Sequence, residues 1–141
     1  MAQQYDVVVL GGGAVGENAA AYAREHGLSA VVVEDELIGG QCSYWACMPS
    51  KALRRPGEAR AAARRVPAAA AAVTGTVDVE QALRSRDGFA SNWDDTGQYD
   101  WLTGAGVDVV RGRGRLAGDR TVEVDPGDGA PVTLTARNAV V

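Results

Sequence analysis

Strand-like and helix-like patterns of apolar residues alternate along the first part of this chain, and together they predict an α/β fold. Valine-rich apolar runs cover Tyr5 to Leu10 and Ala30 to Glu34. Short runs that are apolar on both faces are typical of buried parallel strands. Between them, Ala14 to His26 has an alanine-rich helical pattern, and Gly27 is suited to end that helix. Strand, helix and strand within about 30 residues predict one βαβ unit with a right-handed crossover.

The middle of the chain is predicted to be mainly helical. A loop is expected from Leu37 to Gln41, followed by a mostly helical segment from Cys42 to Val66. The alanine-dominated segment from Pro67 to Gly75 is interpreted as a frayed helix end or a surface connection. Two further helices are predicted over Val79 to Phe89 and Asp95 to Thr103.

The last part of the chain changes to short β-type runs that are separated by turn signals. These runs are Val107 to Arg111, Arg113 to Leu116, Thr121 to Val124, Val132 to Thr135 and Asn138 to Val141. They predict a small antiparallel meander followed by a return strand. Because the final run has the character of a buried strand and domain boundaries usually fall in exposed linkers, residues 1–141 are expected to be the N-terminal portion of a longer domain.

Composition and charge narrow the classes of function. The chain has 141 residues, 46 % of them apolar and 23 % charged, which is ordinary for one soluble domain. A net charge of −4 argues against a nucleic-acid partner, because such domains usually carry a clustered basic face. Neither a signal peptide nor an apolar run long enough for a membrane span is evident, so the expected location is the cytoplasm, without membrane association.

The two cysteines are therefore expected to be reactive and not structural, since the cytoplasm keeps thiols reduced. A structural zinc site needs four ligands, and the sequence offers only Cys42, Cys47 and His26 besides carboxylates. No metal site is predicted.

A glycine fingerprint lies between the first strand and the first helix. Gly11, Gly13 and Gly16 match G-x-G-x-x-G in the context that this dinucleotide-binding motif requires. Gly11 allows the tight turn, Gly13 allows close approach of a pyrophosphate, and Gly16 allows close packing of helix on strand. The free N–H groups of the first helical turn, which contains Ala14 and Val15, are suited to hold the phosphates.

Two acidic residues at the end of the second strand are further candidates for cofactor binding. The carboxylate of Glu34 is placed to accept hydrogen bonds from ribose hydroxyls, and Asp35 is its neighbour. The negative charge of Glu34 disfavours a 2′-phosphate at this site.

The segment with both cysteines needs an irregular backbone if the two are to pair. Residues five apart in a straight α-helix are separated by about 7.5 Å of rise and about 140° of rotation, whereas a disulfide requires Cα atoms within about 7 Å. Cys42 and Cys47 can therefore pair only if the chain bends between them. Glycines before the segment and Pro49 after it favour such a bend, although two unrelated buried thiols are the alternative.

This segment resembles the redox-active site of the class I pyridine nucleotide-disulfide oxidoreductases, a family that includes dihydrolipoyl dehydrogenase, glutathione reductase and mercuric reductase. The pattern of the family is G-G-x-C-x-N-x-G-C-x-P-S-K. The chain matches it at Gly39, Gly40, Cys42, Cys47, Pro49, Ser50 and Lys51. Downstream, the segment from Arg111 to Leu116 resembles the G-x-G-x-F/L strand of the family, in which the second glycine, here Gly114, contacts the adenine end of FAD.

The resemblance implies a Rossmann-like FAD-binding domain in which a parallel sheet is joined by an antiparallel β-meander. It implies that Cys42 exchanges with a disulfide or dithiol substrate, that Cys47 lies against the flavin ring, and that Lys51 lies beside that ring. Gly40 and Gln41 are implied to contact FAD. The co-substrate would be NAD(P)H, bound by a domain outside this chain.

The resemblance also implies a homodimer in the full-length protein, so that this chain alone is not expected to be active. Three residues depart from the pattern of the family: Tyr44, Trp45 and Ala46 stand where it has Asn, any residue and Gly. These departures leave the substrate open. The alternatives are a flavoprotein of the same fold that reduces a quinone or a nicotinamide, and a truncated FAD-binding module without catalysis.

Overall fold

The computed structural model describes residues 2–141, which divide into two compact units. Residues up to Gly40 and from Asp94 onward form the first unit, and Gln41–Trp93 form the second. The helices are α1 (Ala14–Glu25), α2 (Gly40–Tyr44), α3 (Cys47–Arg64), α4 (Pro67–Ala70), α5 (Val79–Phe89) and α6 (Thr96–Gly104), with a short 3₁₀ turn at Ser91–Trp93. The strands are β1 (Gln3–Leu10), β2 (Ala30–Glu34), β3 (Asp108–Arg111), β4 (Arg113–Gly118), β5 (Thr121–Asp125) and β6 (Val132–Val140).

The first unit is built on one sheet with the strand order β3-β2-β1-β6-β5-β4. Strands β3, β2, β1 and β6 are mutually parallel, whereas β5 pairs antiparallel with both β6 and β4. The α/β class and the combination of a parallel sheet with an antiparallel meander are therefore confirmed.

The central strands are buried on both faces, as their apolar runs indicate. Val7 and Val9 belong to one buried cluster, which includes Ala20 of α1 and Leu102 of α6. Val8 belongs to a second cluster, formed with residues of β2, β5 and β6. Because successive strand residues point to opposite faces, the two clusters lie on the two sides of the sheet.

Two predictions about strands were wrong in detail. The run that was grouped with the antiparallel meander, Val107 to Arg111, instead supplies β3, which pairs parallel with β2 at the edge of the sheet. The two runs at Val132 and Asn138 form the single strand β6, which pairs with β5 on one side and with β1 on the other. β6 pairs with β1 on both sides of a register shift that lies between Ala136 and Ala139, so the gap in apolar character does not end the strand.

In the second unit, α3 packs against α5. The predicted helix from Cys42 to Val66 is interrupted: α2 ends at Tyr44, and α3 begins at Cys47. The predicted frayed segment contains only the short helix α4. Within residues 2–141, none of the helices combines the length and the apolar character needed to cross a membrane.

Candidate functional site

The glycine fingerprint forms a tight turn between β1 and α1. Gly11 has φ of +97°, a conformation that favours glycine. A Cβ atom on Gly16 would collide with the carbonyl oxygen of Gly11 and would lie 3.1 Å from a methyl group of Val9. The structure therefore confirms the turn and the close packing of helix on strand that the motif predicts.

The start of α1 leaves room for a ligand. Gly13 occupies the N-cap position without a side chain to cap the helix, and a Cβ atom built on it would meet no atom within 4 Å. Ala14 and Val15 follow it, and Val15 is 81 % exposed. The unbonded N–H groups of a first helical turn favour an anion, so this loop fits the pyrophosphate of a dinucleotide.

Glu34 supports the glycine loop directly. One of its carboxylate oxygens, Oε2, accepts a hydrogen bond from the backbone N–H of Gly12 at 2.7 Å. The other oxygen accepts from the N–H of Glu36 at 2.8 Å, while Asp35 is exposed. Binding of a ribose by Glu34 or Asp35 stays a prediction, and the contact with Gly12 is a role that the sequence did not indicate.

A second pair of glycines, Gly39 and Gly40, contacts a first pair in the fingerprint, Gly12 and Gly13. The N–H of Gly39 donates to the carbonyl oxygen of Gly12 at 2.7 Å, and Gly39 forms an isolated parallel bridge with Gly13. Gly40, which lies against Gly13, has φ of +56°. The segment that leads to the cysteines is therefore joined to the fingerprint by backbone contacts, and sequence reasoning missed this because it treated the two glycine pairs as separate motifs.

Gly114 lies at the ends of the first two strands. A Cβ atom on Gly114 would be 2.5 Å from Cδ2 of Leu10 and 3.0 Å from Cγ1 of Val33. The close packing of these two side chains therefore favours a glycine here. Contact of its backbone with adenine stays a prediction.

The two cysteines lie on different helices of the second unit. Cys42 is in α2 and Cys47 is the first residue of α3, and both are half-buried thiols in the structure. Because α2 ends at Tyr44 and α3 begins at Cys47, the backbone between the cysteines is not one continuous helix. The disulfide itself stays a prediction.

The two residues between these helices are held by the backbone of α2. The N–H groups of Trp45 and Ala46 donate to the carbonyl oxygen of Gln41, at 3.0 and 2.6 Å. Tyr44 is buried, whereas Trp45 is 43 % exposed, and their rings meet edge to face. Ala46 has φ of −124°, so the positive φ that would favour glycine at this position is not present.

Lys51 is tied to the first turn of α3. Its Nζ donates to the carbonyl oxygen of Cys47 at 3.4 Å, and the hydroxyl of Ser50 donates to the same oxygen at 3.2 Å. Lys51 is exposed, so its ammonium group is accessible one turn after Cys47. Residues 2–141 contain no cluster of three or more His, Cys, Asp or Glu side chains that could hold a metal ion.

A family profile and several curated proteins match the sequence of this chain over most of its length. The sequence profile of the family described as pyridine nucleotide-disulphide oxidoreductase matches residues 5–141. A dihydrolipoyl dehydrogenase of Chlorobaculum parvum is 35 % identical over 139 residues, which are 98 % of this chain and 29 % of that protein. A mercuric reductase of Staphylococcus aureus is 31 % identical over 122 residues, covering 86 % of this chain and 22 % of that protein.

A solved structure shares the fold. It is a Cu(II) complex of the HOCl-induced flavoprotein disulfide reductase RclA from Escherichia coli, with a TM-score of 0.75, 17 % sequence identity, and coverage of 95 % of this chain and 27 % of that one. The chain thus spans less than a third of the length of the proteins that it matches. With a profile match that extends over nearly all of its residues, the chain belongs to the pyridine nucleotide-disulphide oxidoreductase family, which uses FAD and NAD(P)H.

Proposed function

We propose that this chain is the N-terminal portion of the FAD-binding domain of an enzyme that passes electrons between NAD(P)H and a disulfide or dithiol substrate. The observation that carries the proposal is the break between α2 and α3, with one thiol inside α2 and the other on the first residue of α3. Membership of the family and the open glycine loop support the same reaction class.

The residues that would hold FAD are those of the two glycine pairs and their neighbours. The N–H groups of Ala14 and Val15 would face the pyrophosphate, and Gly13 would let it approach the backbone. Glu34 would bind the ribose, while Lys51 would place its ammonium group beside the flavin ring. When bound, FAD carries an electron pair between the nicotinamide and the cysteine pair.

The cysteines would carry out thiol–disulfide exchange with the substrate. The thiolate of Cys42 attacks one sulfur of the substrate disulfide, forms a mixed disulfide and releases the first substrate thiol. The thiolate of Cys47 then attacks the sulfur of Cys42, which closes the Cys42–Cys47 disulfide and releases the second substrate thiol. NAD(P)H supplies two electrons and one proton to restore the two thiols, and solvent supplies the second proton.

The remaining parts of the reaction would lie outside these residues. We place the NAD(P)H site in a further domain and expect the full-length enzyme to act as a homodimer in the cytoplasm. Since the chain covers less than a third of its relatives, these features belong to the proposal for the whole protein.

The experiment is anaerobic titration of the flavin-loaded, full-length protein with NADH or NADPH, followed by absorbance spectroscopy. We expect a long-wavelength charge-transfer band after two-electron reduction, because a thiolate of Cys47 next to the flavin ring produces one. The variant Cys47→Ser should lose the band. The variant Cys42→Ser should keep the band and lose reduction of a small disulfide.

A matched control is Ser43→Ala, which alters the same helix without removing a sulfur and should keep both the band and disulfide reduction. Absence of the band in the wild-type protein, or its survival in Cys47→Ser, would contradict the proposed role of the cysteine pair.

A second candidate is reduction of an acceptor that is not a disulfide. Two observations favour it: Tyr44 and Trp45 occupy the segment between the cysteines, and one relative is named for mercuric ion and not for a disulfide. A quinone or a nicotinamide would be acceptors of this kind. Full NAD(P)H oxidation by the double variant Cys42→Ser/Cys47→Ser, with such an acceptor present, would favour this alternative.

A further inference from the structure

Asp95 joins the loop that follows β2 to the start of α6. Its Oδ2 atom accepts a hydrogen bond from the backbone N–H of Ile38 at 2.7 Å. The same oxygen receives the guanidinium group of Arg111 at 2.6 Å. Because the side chain of Asp95 is only 14 % exposed, these two contacts are largely shielded from solvent. The carboxylate thus connects the loop after β2 and the end of β3 to the start of α6.

Arg111 holds the same loop at a second point. Its Nη1 atom donates to the carbonyl oxygen of Glu36 at 2.8 Å. Arg111 is the last residue of β3 and lies beside Glu34 in the β2–β3 register, and its guanidinium group lies 5.8 Å from the ring centroid of Tyr99. The pair Asp95 and Arg111 therefore fixes both Glu36 and Ile38, between Glu34 and the second glycine pair.

Ile38, in the loop that Asp95 and Arg111 hold, packs against the glycine fingerprint. It is fully buried, and its Cδ1 atom would lie 2.8 Å from a Cβ atom on Gly12. Gly12 in turn donates its N–H to Glu34 and accepts the N–H of Gly39. A shift of Ile38 would thus disturb Gly12 and both of its hydrogen bonds.

We propose that Asp95 and Arg111 are positioning residues for the bound dinucleotide. They hold the loop of residues 35–38 so that Glu34, the fingerprint glycines and the second glycine pair keep one geometry before FAD binds. This inference rests on the proposed function, because FAD is the ligand that the loop would receive. A loop that is already ordered loses less conformational freedom on binding, and affinity rises accordingly.

The pair is placed to affect binding more than folding. Arg111 is 41 % exposed on its side chain, and neither residue belongs to either buried cluster. Arg111 is the partner that solvent reaches, and an ion pair that solvent screens on one side contributes little to global stability. Loss of the pair should therefore release the loop while the sheet beneath it stays folded.

The test measures the dissociation constant of FAD by flavin fluorescence on the full-length apoprotein, together with the melting temperature of that apoprotein. We expect Arg111→Ala and Asp95→Asn each to weaken FAD binding by about tenfold or more. The melting temperature should stay close to that of the wild type. Arg111→Lys should recover part of the affinity, because an ammonium group can pair with Asp95 but cannot also reach Glu36.

The double variant Arg111→Ala/Asp95→Asn should bind FAD no more weakly than the poorer single variant, since both act through one loop. Arg54→Ala is the control: it breaks the exposed ion pair with Glu58 on α3 and should leave FAD affinity unchanged.

Three results would overturn the inference alone. The first is an unchanged affinity for FAD in Arg111→Ala, and the second is an equal loss of FAD affinity in the control Arg54→Ala. The third is a loss of affinity that parallels a fall in melting temperature and that Arg111→Lys does not partly restore. A wild-type protein with no affinity for FAD would overturn the proposed function together with this inference, so the two failures are distinguishable.

Discussion

The Cα atom of Gly13 lies 2.8 Å from the point that a Cβ atom on Gly40 would occupy. Gly40 also has φ of +56°, so space and backbone conformation both require glycine there. The contact joins the fingerprint to the beginning of α2, which carries Cys42. One residue thus links the predicted pyrophosphate site to the segment that carries the predicted redox pair.

Replacing Gly40 with alanine should weaken both folding and flavin binding. The new methyl group must displace the backbone of Gly13, and alanine adopts positive φ only with strain. We expect a loss of about 1–3 kcal/mol in the free energy of unfolding, together with weaker retention of FAD. Urea denaturation and flavin content after gel filtration measure the two effects.

Gly57 provides the matched control for this substitution. It lies inside α3, and a Cβ atom built on it would meet no atom within 4 Å. Because alanine favours helix more than glycine does, Gly57→Ala should stabilise the protein by about 0.5–1 kcal/mol. Equal destabilisation by the two variants would show that the contact with Gly13 has no special role.

Replacing Glu34 with glutamine tests the support of the glycine loop. An amide group has one acceptor oxygen, whereas the carboxylate uses one oxygen for Gly12 and the other for Glu36. One backbone N–H, either that of Gly12 or the exposed one of Glu36, would then face an NH₂ group, and loss of that hydrogen bond costs about 1 kcal/mol. Thermal denaturation should show a lower melting temperature.

The neighbouring variant Glu36→Gln makes the same chemical change on an exposed side chain. It should leave the melting temperature close to that of the wild type. If Glu34→Gln behaves like Glu36→Gln, the contact between Glu34 and Gly12 does not support the loop.

The parts of the fold that depend on local pattern could be predicted from the sequence. The first βαβ unit follows from two valine-rich runs, a glycine turn and an alanine-rich helix, each readable within a few residues. The single strand β6 could not be predicted in this way, because its two apolar runs are joined by pairing with β1, at the other end of the chain, on both sides of a register shift. The position of β3 depends likewise on a distant partner, β2.

The candidate site likewise contains features that a local sequence pattern predicts and features that depend on distant segments of the chain. The fingerprint and the cysteine segment are compact motifs, so their residues could be named from the sequence. The contacts of Asp95 with Ile38 and Arg111 join three separate segments of the chain. No local pattern marks such a junction, and only the packing of α6 and β3 beside β2 creates it.

Asp6 should make the stability of the folded state depend on pH in the acidic range. Hydrogen bonds from the N–H and hydroxyl groups of Ser29, followed by the charge of Arg137, lower the pKa of Asp6. A carboxylate with a lowered pKa stabilises the folded state above its ordinary value of 3.8, and this contribution is lost as the pH falls through the folded pKa. Asp6→Asn should therefore be less stable than wild type at pH 7 by urea denaturation, and the difference should shrink below about pH 4. A difference that does not change with pH would contradict this role of the charge.

Glu17 should make the stability of the folded state depend on pH in the opposite direction. Burial raises the pKa of this carboxyl, which lies in the first turn of α1, and its Oε2 atom has no hydrogen-bond partner within residues 2–141. A raised pKa means that the folded state prefers the neutral acid, so stability is fully present below the ordinary value of 4.5 and declines as the pH rises through the folded pKa.

Glu17→Gln should therefore raise the melting temperature at pH 7 and have little effect at pH 4, as measured by thermal denaturation at both pH values. Glu80 is the control, because it lies in the first turn of α5 with its side chain 86 % exposed and paired with Arg84. Glu80→Gln loses a favourable interaction with the helix dipole and should lower the melting temperature slightly at pH 7. The same sign of change in both variants would mean that burial does not govern Glu17.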